Sequence, residues 1–424
     1  MYNVKLYNYV PEPQPVNSDR VVAAHYYAAW KKGAAEIHDA FNDLHDYPER
    51  TPLMGYYDES NPEVCDWEIK WAVEHGINCF IHCWYRRLGN MGKPVTVDAL
   101  RCGHGLHEAL FNAKYQKYMK FAIMFENCPR WGTVTGKDDL LENVMPFWME
   151  NYFKRDNYLK IDNKPVLFVF NHKRLDEALG TPEEQSAAFD ACREYCKAHG
   201  FDGMIFAPCN TSTDPEEHAL CLAKGYDFRF GYNSGYCAKK HFPKGEEVMN
   251  EQVNLFMKRL ANDPMHFVPT PSCFSDATPR TNAHWRDELG YNFHKGYTWY
   301  LQPEEFRMVI RRMKEISDSL PDGAWAKKIM MIDNWNEWDE GHFVSPSHQF
   351  GFKYLQAVRE ELTDRNNLPD YRTPQDLGFT GYDAVWEKPD MSAISKEILD
   401  SGMSFEELVL KRYTDYGNEI TSEE

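Results

Sequence analysis

With 424 residues, 43% of them hydrophobic and 26% charged, the chain has the make-up of a globular protein of two or three domains, or of one long α/β barrel. Its formal net charge of −18 argues against nucleic acid or an anionic membrane as partner, because both repel an acidic surface. The 11 cysteines, an odd number without any Cys-x-x-Cys pair, read as small core residues of a reduced protein rather than a disulfide framework. No apolar run approaches the ~20 residues a bilayer span needs, and the first residues lack a basic-then-apolar leader pattern. The expected compartment is therefore the cytoplasm, or the periplasm or exterior if a leader has been removed.

Residues 1–20, with Pro11, Pro13 and Pro15, read as a lead-in rather than a packed element. Val21 to Tyr27 is the first strand, followed by a long loop through residue 60. Asn61 caps a helix whose first residue is Pro62 and which Gly76 stops. Ile77 to Tyr85 is the second strand, with a helix expected near 105–117. Lys120 to Phe125 and Pro165 to Phe170 are the third and fourth, separated by a helix over about 138–153. Thr181-Pro-Glu-Glu184 is a capping box opening a helix that ends at Gly200. Gly203 to Ala207 is the fifth strand, and Asp214-Pro215 opens a helix closed by Gly225. Tyr226 to Phe230 and His266 to Pro269 are weaker sixth and seventh strands around a helix near 245–260. A helix over 303–318, the strand Ile329 to Ile332 and a helix over 351–362 complete the series.

Eight strands, each followed by a helix, predict a (β/α)8 TIM barrel, an α/β fold, over residues 21–362. Residues 363–424, with Trp386, read as a C-terminal arm and acidic tail. A doubly wound open sheet is the alternative, but no Gly-rich phosphate turn of either common kind is present.

In such a barrel the residues just past each strand's C-terminal end face the active site. The expected substrate-binding residues are His25, Tyr26, Tyr27 and Trp30 after the first strand, and His82, Trp84 and Tyr85 after the second. Glu126 and Asn127 follow the third, Asn171 the fourth, Tyr232 the sixth and Arg280 the seventh. The eighth strand runs directly into Asp333-Asn-Trp-Asn-Glu-Trp-Asp-Glu-Gly341, adding Trp335, Asn336 and Trp338 and placing Glu337 and Glu340 three residues apart. Loop acids are commonly solvated or paired with arginine. Here they leave a buried strand and alternate with indoles, whose company strips water from a carboxylate and should raise at least one pKa. Two carboxyl groups beside a sugar-sized aromatic face are what glycosidic bond cleavage requires, one to donate a proton and one to support the sugar carbon as it becomes cationic. No metal or other cofactor is expected. His104 and His107 lack the Glu of a zinc helix and read as surface residues, and His38, Asp39, His45 and Asp46 read as a solvated loop.

The stretch from Trp335 to Gly341 resembles the Asn-Glu-Trp-x-Glu-Gly signature of glycoside hydrolase family 99, the endo-α-mannosidases and endo-α-mannanases, and equally that of the WbsX-like family of polysaccharide gene clusters. Leu53-Met-Gly-Tyr-Tyr-Asp58, Glu74-His-Gly-Ile77, Phe125-Glu-Asn127, Lys164-Pro-Val166 and Thr278-Pro-Arg280 extend the likeness over about residues 20–360. The resemblance implies a (β/α)8 barrel and retention of configuration. It also implies that Glu337 assists the substrate's own 2-hydroxyl and that Glu340 is general acid and base; from spacing alone, direct attack by Glu337 is equally open. The residue between them is Asp339, where family 99 often has His. The expected function is a retaining glycoside hydrolase acting on a polysaccharide or oligosaccharide. A WbsX-like glycosyltransferase and a non-catalytic glycan-binding barrel are the alternatives.

Overall fold

The computed structural model describes residues 9–31, 41, 44, 47–128, 132–232, 243–277, 279, 299–379 and 402; Arg280, Trp386, His38, Asp39, His45 and Asp46 lie outside them. Val21–Tyr26 is the strand on which the sheet closes, with parallel partners on both sides. Ala23 faces Met331 of Ile329–Ile332 on one flank and Cys79 of Cys79–Arg86 on the other. From there the order runs in parallel through Lys120–Phe125 and Lys164–Val169 to Ile205–Pro208. Single parallel bridges, Cys209 to Phe230, Arg229 to Phe267 and Ser272 to Asp333, carry the sheet back to the eighth stave. The fold is the (β/α)8 barrel that the strand count predicts.

The sixth and seventh staves are bridges rather than full strands, and the seventh has a chemical reason. Pro269 and Pro271 have no N–H to give to a ladder. Their carbonyls still accept, from Met331 and Asp333, so the barrel closes through one half of the usual pairing.

The helix termini follow their capping residues. Asn61 accepts from the Glu63 amide ahead of Pro62–Glu74, and Thr181 and Glu184 form both halves of the capping box of Pro182–Ala198. Two expected helices differ. The segment after the second stave is a π turn at Gly105–Ala109 and 3-10 turns at Leu110–Asn112 and Gln116–Tyr118. A Cβ at Gly105 would lie 2.7 Å from the Ala28 Cβ, so the chain there lies tight on the first stave's exit. The segment 137–153 alternates α and π turns around Pro146, which has no N–H for a regular i→i−4 bond.

Of the expected lead-in, the described residues 9–20 pack in part on the barrel. Val10 and Val16 are buried, Val16 N–H donates to the Val73 carbonyl, and the Tyr115 hydroxyl donates to the Val10 carbonyl. On the same side the arm after residue 362 contributes Asp370, which pairs with Lys70, and the Arg372 carbonyl, which accepts from the Trp71 indole. Covered by these strips, Pro62–Glu74 is buried along its length from Val64 to Glu74, charged residues included.

Candidate active site

Every stave runs in the same direction, so the segments Tyr27, Tyr85, Glu126, Asn171, Asn210, Tyr232 and Asp276 and the motif after Ile332 all leave at one end of the barrel. The motif itself folds back as a short antiparallel hairpin, Asn336 opposite Phe343 and Glu337 opposite His342. The Asp333–Asn334 peptide that leads into it is cis. The hairpin is extended by Val344 N–H to the Asn334 carbonyl and Ser345 N–H to the Trp335 carbonyl. This fold-back sets His342, which the sequence did not single out, beside both glutamates.

Glu337 is 4% exposed and accepts a 2.7 Å hydrogen bond on Oε1 from the Tyr232 hydroxyl. That hydroxyl accepts in turn from Asn334 Nδ2 at 3.0 Å. Burial, and then the Glu337 charge, hold Tyr232 well above the usual phenol range, so it remains a donor. Glu126 stands on the same side. Burial pushes its carboxyl up to about 8 and the Glu337 charge adds to that, against the opposing Cys83 thiol and Arg174. At neutral pH Glu126 is therefore a neutral acid next to Glu337, able to donate as well as accept.

Glu340 lies at the hairpin turn with 21% of its side-chain surface exposed, its Oε2 2.8 Å from His342 Nε2. The other imidazole nitrogen, Nδ1, lies 3.2 Å from Asp333 Oδ1. Asp333 is fully buried and also accepts from the Ser272 hydroxyl at 2.8 Å. Burial drives its pKa up, but His342, His25 and Ser272 together bring it below the ordinary carboxylate value, so it is ionised. His25, 4.0 Å away, is pushed down to about 4 by burial and is neutral. Ligand atoms of Glu337, Glu340 and His342 all lie within 4.8 Å of one another. That span would admit a small cation, and it equally suits proton exchange between neighbouring groups.

Behind the motif a buried polar network, reaching the helix Pro62–Glu74, holds its side chains in place. Asn336 accepts from Tyr27 N–H at 2.8 Å and donates to Glu59 Oε1 at 2.9 Å. The Trp335 indole donates to Glu68 Oε1 and the Tyr26 hydroxyl to Glu68 Oε2. The Trp338 indole donates to the Tyr57 hydroxyl. His104, expected at the surface, is buried 3.4 Å from Glu59. Burial pushes Glu68 up to about 8, with the Glu59 charge adding to it. A carboxyl raised from an ordinary value near 4.5 to about 8 binds more protons folded than unfolded over that interval, so its stabilising contribution is lost as pH climbs through it. Glu68→Gln should therefore flatten the fall in unfolding free energy between about pH 5 and about pH 9, by a few kcal/mol at ~1.4 kcal/mol per pKa unit. Denaturant titrations at the two pH values check this; an unchanged slope would count against a neutral Glu68.

The expected site residues thus divide in two. Tyr27, Tyr85, Glu126, Tyr232, Glu337 and Glu340 gather at the mouth, over His25. Tyr26, His82 and Trp84 turn outward: His82 stacks on Tyr26, and the Trp84 indole donates to Tyr152 among Phe147 and Trp148. Trp30 stacks on Phe41, Trp335 packs on Phe80 and Trp338 on Phe343, each with no exposed surface. With Trp84, these three tryptophans pack within the frame rather than line the mouth. Asn127 and Asn171 bind each other, the Asn127 amide donating to the Asn171 carbonyl and accepting from its N–H. Asn171 also caps the turn His172–Leu175. Arg86, the last residue of the second stave, is fully buried against Asp139.

Fold and mouth together define a (β/α)8 barrel with a carboxylate cluster at the C-terminal ends of its strands. The sequence profile of the family described as Glycosyltransferase WbsX matches residues 137–358, just over half of the chain, and the chain belongs to that family. Curated relatives include the uncharacterized protein WxcX from two strains of Xanthomonas campestris pv. campestris. Each is 21% identical over 386 residues, which is 86% of this chain; the chain spans about half the length of these relatives. Among solved structures, the GH99 endo-alpha-mannosidase from Bacteroides thetaiotaomicron superposes with a TM-score of 0.51 at 16% identity, over 81% of this chain and 96% of that one. The same enzyme in complex with BIS-TRIS-propane gives 0.50 at 15% identity with the same coverage. At this identity the likeness is one of fold. Among the described residues no helix is long and apolar enough to cross a membrane.

Proposed function

We propose that this chain is a retaining glycoside hydrolase that cleaves a glycosidic bond in a polysaccharide or oligosaccharide. The observation that carries the reading is the carboxylate geometry: oxygens of Glu337 and Glu340 within 4.8 Å of each other at the barrel mouth. Retaining enzymes hold their two carboxyl groups about 5–5.5 Å apart, whereas inverting enzymes leave about 6.5–9.5 Å for a water. Glu340, partly exposed, serves as general acid and base. Glu337, held by Tyr232, supports the anomeric carbon either by direct attack or by drawing the proton from the 2-hydroxyl, and both routes retain configuration. Neutral Glu126, Tyr27, Tyr85 and Tyr232 are the groups proposed to meet the sugar, with Arg280 a further candidate.

A panel of α-mannan, dextran, xylan, pectin and bacterial surface polysaccharides, scored for new reducing ends and for the anomer released, tests the reading. A product first formed with inverted configuration would sink it. On the cleaved glycan, a 2-deoxy-2-fluoro glycosyl fluoride separates the two routes. Direct attack leaves an adduct on Glu337, and 2-hydroxyl assistance leaves none.

The matched family's name favours a second reading, glycosyl transfer. That reading requires a nucleotide-sugar or lipid-linked donor, and the sequence carries no phosphate cradle. Thermal shift by nucleotide sugars, with no glycan cleaved, would decide for it.

A further inference from the structure

Asp333, His342 and Glu340 form a line of three hydrogen-bonded groups from the buried exit of the eighth stave to the surface of the mouth. Asp333 at its inner end is fully buried, and His342 has no exposed surface. Only Glu340 reaches solvent. His342 is delivered by the hairpin register, directly across from Glu337, so one fold-back fixes its distance to both acids. We infer that Asp333 and His342 are positioning residues that hold the proton which Glu340 delivers, and that they aim it at the leaving-group oxygen. The inference rests on Glu340 being the acid and base of the proposed hydrolysis.

The chemistry follows from which nitrogen is committed. An ionised Asp333 beside Nδ1 fixes the N–H there, and this leaves Nε2 facing Glu340 Oε2. The contact between two such groups is a hydrogen bond when one proton is shared across it, on the carboxyl or on the imidazole. In the first step that proton passes to the glycosidic oxygen as its bond to the anomeric carbon breaks; the bond's electron pair goes to the departing oxygen, and the carbon bonds instead to Glu337 or to the substrate's 2-oxygen, whose proton Glu337 takes. In the second step the Glu340 carboxylate takes a proton from the incoming water as the water oxygen bonds to the anomeric carbon; the temporary bond breaks, its electron pair returns to Glu337 or to the 2-oxygen (which regains its proton from Glu337), and the shared proton is restored. Asp333 stays ionised throughout and moves no proton; its charge keeps the imidazole in one tautomer and one orientation. This device needs no apolar pocket around Glu340, which fits an acid that keeps some contact with solvent.

Two experiments test this, and they fail separately from the hydrolase reading. Proton NMR of the wild-type chain should show an imidazole N–H resonance downfield of the amide region. It should be absent in His342→Asn and shifted upfield or lost in Asp333→Asn. Its absence from the wild type would overturn the inference whatever the substrate proves to be. The second experiment compares the glycan cleaved in the panel with the glycosyl fluoride of its released fragment, because fluoride departs with little help from an acid. In His342→Asn and Asp333→Asn the ratio of the glycan rate to the fluoride rate should fall on the order of 10²-fold, the scale of general acid catalysis. The ratio is internal to each variant, so a partly misfolded preparation leaves it unmoved. An unchanged ratio in a folded His342→Asn would overturn the inference, as would wild-type activity lost to a chelator and restored by a divalent cation, for His342 would then be a metal ligand. A downfield resonance in a chain that cleaves neither glycan nor fluoride would support the held proton and remove the hydrolase reading instead.

Discussion

Glu340→Gln is expected to lower the rate on the natural glycan by on the order of 10³-fold, and Glu337→Gln by at least as much, because each removes one of two carboxyl groups that act on the same bond. The two losses arise differently. Without a proton at position 340, the leaving oxygen must depart as an alkoxide, so the loss shrinks for an activated aryl or fluoride leaving group. Without the carboxylate at 337, the positive charge at the anomeric carbon has no counterpart, and the loss persists with every leaving group. Both substitutions preserve shape. A glutamine at 337 still offers the Tyr232 hydroxyl a carbonyl oxygen, so the melting temperature should move little. Rates on paired good and poor leaving groups, with thermal unfolding as control, make the measurement. Full activity in either variant removes that residue from the mechanism, and a loss at 340 that ignores the leaving group would deny it the acid's role.

Gly341→Ala should be the most damaging single-carbon change in the motif. Gly341 has φ +71°, a region that costs an L-residue about 1–2 kcal/mol. An added Cβ would also sit 2.8 Å from the Asp276 carbonyl oxygen and 2.9 Å from its amide nitrogen, backbone atoms that cannot swing aside. That part of the chain is tied in place: Asp276 N–H donates to the Glu340 carbonyl, and Arg50 binds the Asp276 carboxylate and carbonyl together with the Trp338 carbonyl. Relief must come from the hairpin turn, the segment that carries Glu340 and sets His342. Strain and overpacking together should cost about 3 kcal/mol of stability. Activity should fall on the order of 10²-fold even at temperatures where the variant is folded, since small misplacements of reacting groups carry penalties of that size. Denaturant unfolding and steady-state rates on the same preparation check both. A variant with wild-type stability would show that the turn can open, contrary to the packing described.

The three substitutions also mark where the sequence was legible. Apolar runs of four to nine residues, Asn61-Pro62 and the Thr181 box all act over neighbouring residues, and local signals of that kind place elements correctly. Pro146 and the tight approach of Gly105 to Ala28 disturbed the helices whose regularity depends on what lies beside them. The largest misreading concerned side-chain direction. Successive residues of a stave point to opposite faces. Cys83 lies beside Glu126 at the mouth while His82 and Trp84 meet the helix layer; His25 lies under the mouth while the Tyr26 hydroxyl reaches Glu68 on a helix. The sequence places Trp30 and Trp84 near a sugar because they lie at strand ends, and Trp335 and Trp338 because they neighbour the acids in the chain, but the fold packs all four.

By itself, then, the sequence determined the barrel, the end of it where the carboxylates gather, and the acidic pair after the eighth strand, because strand length, caps and a strand's exit are written in consecutive residues. Tertiary structure alone decided that His342 lies between Asp333 and Glu340, that Glu126 is a neutral neighbour of Glu337, and that Glu59 and Glu68 anchor the motif from behind. Those outcomes depend on the register of a hairpin and on how far water is excluded. Both are set by contacts between residues tens to hundreds of positions apart, and no local pattern records them.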